Sequence, residues 1–437
     1  MTKNLLLIFL TCILTLNSFA TNKTLKKSSI KTIDSCMNAA IKEHIFPGAQ
    51  MIVGNKEGVI FNQNYGNLDY TNNETVNDQT LYDLASCTKI FATTLAVMRL
   101  IDEQKLSLTT KISDVIEGAD TMPYARVMIK DLLYHGSGFS PTVSVARSLV
   151  KSANEKIPLI STTKTANNPY CFDTKQYICK DIAYDTTYLT TSKLPGSIKI
   201  SSSLYLKEGY KLKLDTMINE AYNIKKYGYY SYSDLNFYFL QKIIEATTAC
   251  SINEYVQSIY EQMGIKNIGY NPLSWSESDM IAPTEYDVLF RRDTLRGIVH
   301  DEMACIQGGM AGHAGLFASA TTLSELCQMF INNGVAANGE RIISTETLAT
   351  FTKVKTYASG VVRGLGFDKM NPTKTSYTSA SYGHTGYTGT YFWIEPNQDF
   401  YVILLTNRVH PTRANKKLTA NFRSFLWEVV ESNFKTK

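Results

Sequence analysis

Hydrophobic periodicity is strong in some stretches of this chain and lost in others. In PGAQMIVGNKEGVIFNQNY, residues 47–65, apolar runs flank a polar turn at Asn55-Gly58, the pattern of two short strands joined by a tight connection. Residues 86–101 carry apolar side chains almost all round a helical wheel (Ile90, Phe91, Leu95, Val97, Met98, Leu100, Ile101). That predicts a helix buried on every side. From about 105 to 300 the pattern is mainly helical with loops, but residues 150–226 are polar, irregular and rich in Lys, Thr and Ser, as in an insertion or lid. Helical periodicity returns at 321–333, closed by Asn333-Gly334. Two apolar, β-rich runs follow at 387–394 and 400–406, then a final helix at 414–433. No internal repeat is visible. Strands towards both ends with helices between predict an α+β fold. One lobe draws on about 30–110 and 305–437, and an all-helical lobe on about 111–304, with the insertion inside it.

The first residues follow a different pattern. MTKNLLLIFLTCILTLNSFA has one Lys, a mostly apolar run and small residues at Ser18 and Ala20. This is the layout of a cleaved signal peptide over 1–20, and it is too short for a comfortable membrane span. A secreted or periplasmic protein, 21–437, with no stable membrane span is the expectation. Composition adds little to this. At 44% apolar and 19% charged the 437 residues are globular, and the net charge of +5 comes without a long basic run. The short pairs Lys26-Lys27, Lys225-Lys226 and Lys416-Lys417 read as solvated lysines, so no nucleic-acid partner is expected. Seven cysteines follow the signal segment at scattered spacings, which is not a disulfide framework. A bridge between Cys171 and Cys179 is one open alternative. No Cys/His spacing matches a metal site.

Candidate chemistry begins at LASCTK, residues 84–89. Ser-x-x-Lys recurs at Ser28, Ser148, Ser161 and Ser432, but only Ser86 opens a buried helix. There Lys89 falls on the same face one turn on. The helix start offers free N–H groups for an oxyanion, and a desolvated lysine can lose its proton and activate the serine. Ser86 as a helix cap with Lys89 at the surface is the competing reading, and this segment alone leaves both open. Tyr232-Ser233-Asp234 precedes a second helical pattern, where Tyr232 could exchange a proton and Asp234 could hold Lys89. His384-Thr385-Gly386 leads into a strand, and the Tyr387 N–H could be a second oxyanion donor. His313-Ala314-Gly315 precedes a helix and reads as structural, as do His135, His300 and His410. Cys87, about 100° round the helix from Ser86, reads as a buried, inert thiol.

With these three motifs in this order the chain resembles the serine β-lactamase and penicillin-binding-protein superfamily, closest to its class C-related branch. DLLYHGSGF (131–139), GGMAGHAGLFASATTL (308–323) and LLTNRVHP (404–411) extend the resemblance over nearly all of 30–430. It implies a β-lactamase/transpeptidase-like fold: an antiparallel sheet flanked by helices, plus the helical lobe. It also implies an acyl-Ser86 intermediate, Lys89 and Tyr232 as proton-handling groups, Ser86 and Tyr387 N–H groups as the oxyanion hole, and no metal or organic cofactor. Asp234, His384, Thr385, Gly386 and Arg408 would contact the substrate. Two positions depart from the β-lactamases of this branch. Asp234 stands for Asn, and His384 for Lys, which removes a fixed charge that attracts a substrate carboxylate. Arg408 could take over that role. The implied activity is a peptidase on cell-wall-type peptides ending in D-amino acids. An esterase or acyltransferase is the alternative, and a β-lactamase or an inactive binding module is less favoured.

Overall fold

A computed structural model of the chain describes residues 24–71, 73–370 and 376–435. The signal segment expected at 1–20 lies outside the described residues. The central element is a five-stranded antiparallel sheet. Its strands are β1 (Gly48–Asn55), β2 (Gly58–Gly66), β3 (Tyr382–Thr385), β4 (Tyr391–Glu395) and β5 (Phe400–Thr406), in the order β3-β4-β5-β1-β2. The hairpin turn falls at Asn55-Gly58, where the Asn55 side chain accepts from the Gly58 N–H. The C-terminal strand β5 pairs directly with β1, Ile52 facing Ile403.

At β1, β4 and β5 both faces of this sheet are buried, which is why these strands are largely apolar runs rather than alternating ones, whereas the edge strand β2 is exposed or half-buried at most positions. The strand period of two sorts their side chains into two cores. Met51, Val53, Val402 and Leu404 pack with Met37 of α1 (Lys27–Lys42) and Trp427. Ile52, Ile403 and Leu405 pack on the opposite side with Phe91 and Phe330. Trp427 lies on the last helix, Ala420–Glu431, and Phe330 on Ala320–Ile331. Helix α1 was not read from the sequence. Its buried face is a thin line of Ile33, Met37 and Ala40 among polar neighbours.

The buried segment after Ser86 is helical throughout, but its winding changes. It runs from a 3₁₀ turn (Ala85–Cys87) through a π-helical stretch (Lys89–Thr94) into α2 (Leu95–Asp102). The expectation of helix from 105 to 300 holds in part, with α3 (Asp234–Thr248) and α4 (Ile252–Met263) its longest members. Between 150 and 206 the chain instead forms strands of two to four residues, such as Ile160–Ser161 and Tyr170–Asp173. Too few residues alternate there for a period to show. Cys171 and Cys179 are both free, one exposed and one buried, so the bridge left open from the sequence is not formed.

Candidate active site

Ser86 sits at a strained corner. Ala85 adopts a left-handed φ of 45°, a conformation that costs free energy without glycine and persists only where surroundings enforce it. Buried Asp83 does this, accepting from the Ala85 N–H at 2.8 Å and from the His300 N–H at 2.7 Å. The Ser86 side chain thereby leaves the strand end half-buried, facing a cleft of about 470 Å³.

Behind Ser86 lies Lys89, which is 0% exposed. Its ammonium donates to Ser86 Oγ at 2.9 Å, to the His313 carbonyl at 3.0 Å and to Asp234 Oδ1 at 2.7 Å. Tyr232, just ahead of α3, lies beside both Ser86 and Lys89, its ring centroid 5.2 Å from Lys89 Nζ and its hydroxyl within their electrostatic reach. Burial by itself would lower Lys89, but the Asp234 carboxylate and Tyr232 raise it above the ordinary lysine range. The expectation that desolvation frees the amine is therefore corrected: a carboxylate in contact outweighs it, and Lys89 is held as a cation. Burial also raises the Tyr232 phenol, with Lys89 opposing. In the resting site the charge is on Lys89 and Tyr232 is neutral. Asp234 turns to Lys89 and is not among the groups lining the cleft.

The opposite wall is the edge strand β3 and the turn after it. His384, Thr385, Gly386 and Tyr387 line the cleft together with Ser86 and Tyr232. Gly386 is required by close approach: a Cβ there would stand 2.5 Å from the Leu84 carbonyl, on the segment that carries Ser86. Thr390 Oγ1 donates to that same carbonyl at 2.9 Å and locks the turn to the Ser86 corner. The N–H groups of Ser86 and Tyr387 donate to no described residue. The His384 ring is buried, and its Nδ1 bonds to the Thr385 carbonyl at 2.8 Å. Burial, then the neighbouring Arg363 and Lys89, keep its pKa well below the usual histidine value. It adds no positive charge to the wall.

Charge on this wall comes from other residues. Arg363 pairs with Asp368, and Lys416 with Asp173. Arg408 donates to the backbone carbonyls of Asn415 and Tyr387, while Arg423 Nε is buried with no hydrogen-bond partner. Among the described residues neither Arg408 nor Arg423 forms an ion pair, and all four cations line the cleft. Arg408 was read from the sequence. Arg363 and Arg423 were missed, because isolated basic residues carry no sequence signal, and Lys416, read as one of a pair of solvated lysines, lines the cleft instead.

Two histidines first read as structural support the site. His135 accepts from the Ser233 N–H through Nδ1 at 3.1 Å and packs its ring 4.4 Å from that of Tyr232. His313 presents the carbonyl that receives Lys89, and its Nε2 lies 2.8 Å from Asp301. Cys87 faces away from the cleft, buried against Thr390, with its thiol pushed up to about 12 by burial. Among the described residues no group of three or more His, Cys, Asp or Glu is arranged to hold a metal ion.

A family model, Beta-lactamase, matches residues 33–164 and 210–423. The chain belongs to the β-lactamase family. It is a serine hydrolase of that family. Its curated relatives include a Salmonella typhi protein named "Putative D-alanyl-D-alanine carboxypeptidase", 29% identical over 367 residues, covering 78% of this chain and 72% of that protein. Among solved structures the fold is shared with EstCE1, described as a hydrolase with promiscuous acyltransferase activity (TM-score 0.63, 18% identity, 92% of this chain and 98% of that one). It is also shared with an octameric penicillin-binding protein homologue from Pyrococcus abyssi (TM-score 0.60, 19% identity, 86% and 73%). In this β-lactamase-family chain no described helix is long and apolar enough to cross a membrane.

Proposed function

We propose that this hydrolase is a D,D-carboxypeptidase-type peptidase acting through an acyl-Ser86 intermediate on short peptides with a free terminal carboxylate. The observation that carries the reading is the unpaired Arg408 and Arg423 in the same cleft as Ser86. Arg408 is buried and Arg423 half-buried, and cations withdrawn from water without a carboxylate partner are costly unless an anion meets them. The name of the Salmonella relative points the same way.

In this reading Ser86 Oγ attacks the carbonyl carbon of the scissile amide. Its proton passes through Lys89, which hands one on to the Asp234 carboxylate bonded to it. The carbonyl oxygen takes up the electron pair and is held by the Ser86 and Tyr387 N–H groups. As the tetrahedral species collapses, the C–N bond breaks and Asp234 returns the proton through Lys89 to the leaving amine. Water then repeats the sequence on the ester and frees Ser86. Arg408 and Arg423 take the terminal carboxylate, the role that the neutral His384 does not fill.

A second reading, an esterase or acyltransferase, is favoured by one feature: Asp234 is engaged by Lys89 and offers no donor to a substrate amide. One experiment divides the two. Wild type and Ser86→Ala are incubated with a penicillin, intact mass is recorded, and D-alanine release from a D-Ala-D-Ala peptide is assayed beside nitrophenyl acetate turnover. A Ser86-dependent mass gain together with D-alanine release supports the peptidase. Ester turnover with neither sinks it in favour of the second reading.

A further inference from the structure

The residues that the family model passes over, 165–209, send one hairpin to a loop that borders the cleft. Its strands, Tyr170–Asp173 and Gln176–Ile178, pair antiparallel. The base is fastened by Arg292, whose Nη2 donates to the Cys179 carbonyl at 2.9 Å and whose guanidinium lies 5.0 Å over the Tyr170 ring. The tip grips the loop that follows β5. Phe172 packs its ring 4.7 Å from the Arg413 guanidinium, and the Asp173 oxygens lie 3.0 and 3.3 Å from Lys416 Nζ. Lys416 in turn lines the cleft and reaches Tyr387 Oη at 3.2 Å, whereas Asp173 is not part of the lining. The carboxylate thus meets the lysine without itself lining the ligand space.

We propose that Asp173 is a specificity-determining residue. By pairing with Lys416 it holds the cleft to acyl substrates with one carboxylate, taken by Arg408 and Arg423, and disfavours those carrying a second anionic group. This rests on the carboxylate-directed reading of the cleft given above. Lys416 already sits within the lining, so removing the opposing charge, with no rearrangement, offers a third cation to the ligand. At the partial exposure of this pair, 44% and 31%, the charge is screened by solvent, so the effect is of moderate size.

The test uses the full chain with Ser86→Ala, so that binding is read without turnover, and two probes of equal length, glutaramate with one charge and glutarate with two. Dissociation constants come from NMR titration. Asp173→Asn is expected to shift the preference towards glutarate by about three- to five-fold. Asp173→Glu keeps the parent preference, and adding Lys416→Gln to Asp173→Asn cancels the gain. A hairpin that only props the loop would move both probes together. An unchanged preference in Asp173→Asn overturns the proposal, including the case where no variant binds either probe, as does a gain that survives Lys416→Gln. Failure of the peptidase reading shows separately in the penicillin mass experiment, which does not depend on a second charge.

Discussion

Residues 85–102 line the cleft through Ser86, residues 165–209 meet it only through Asp173 on the lining residue Lys416, and the two are held in place to different degrees. In the first, Lys89 through Met98 are all 0% exposed. The position of Ser86 is set by close packing on every side, where even a methylene's change is felt. In the second, strands of two to four residues put only scattered side chains such as Ile178, Leu189 and Leu206 into the core, and polar anchors join them, such as Arg292 on the Cys179 carbonyl and Asp293 on the Ser202 N–H. Each such contact contributes on the order of 1 kcal/mol. The difference separates two tasks. In the proposed reading, chemistry that needs fixed distances sits where the core enforces them, and selectivity sits where a few contacts can change without disturbing the fold.

The largest expected effect tests the rigid region. Ser86→Ala should reduce turnover at least about 10³-fold while leaving thermal unfolding close to wild type. Retained turnover in a steady-state ester or peptide assay would place the nucleophile elsewhere. Tyr232→Phe removes a hydroxyl beside Ser86 and Lys89, and kcat should fall by roughly 10²- to 10⁴-fold with KM little changed. A change confined to KM would make Tyr232 a binding group only.

The charged wall should respond more mildly. Arg423→Gln is expected to raise KM about tenfold for a peptide with a free carboxylate, the size of one lost charge-assisted hydrogen bond, and to leave a neutral ester unaffected. An equal rise for both substrates would show a structural role. The smallest effect concerns acid stability. His135 and His384 are both buried, and burial, then the nearby cations, lower their pKa values well below the ordinary histidine value. The unfolded chain then binds protons first as pH falls. Their contribution to stability is complete above about pH 6.5 and is lost below it, by up to about 1.4 kcal/mol per histidine per pH unit. Denaturant unfolding of His384→Gln between pH 6.5 and 5.5 should show a shallower slope than wild type, and an identical slope would mean that His384 does not titrate as described.

How far the site could be read before folding depended on the range of the interactions. Ser86 and Lys89 are joined within one helical turn, and the turn at Gly386 is marked by its own residues, so both are legible locally. The charge state of Lys89 is not, because it depends on Asp234, which arrives from a distant helix start. Helix α1 was missed because its apolar stripe is sparse, and the insertion strands because two to four residues are too few for a period. Arg363, Arg423 and Lys416 acquire meaning only beside one another.

The sequence by itself determined the strand pair at 47–65, the buried run after Ser86, the order of three motifs that resemble those of the family, and through them the family. These depend on contacts between near neighbours in the chain, where residue type and spacing suffice. Only the tertiary structure decided that Lys89 is held as a cation, that His384 adds no charge to its wall, and that Asp173 meets Lys416 at the rim. Each of these is an electrostatic balance between groups far apart in sequence, fixed by distance and burial, and neither quantity exists until the chain is folded.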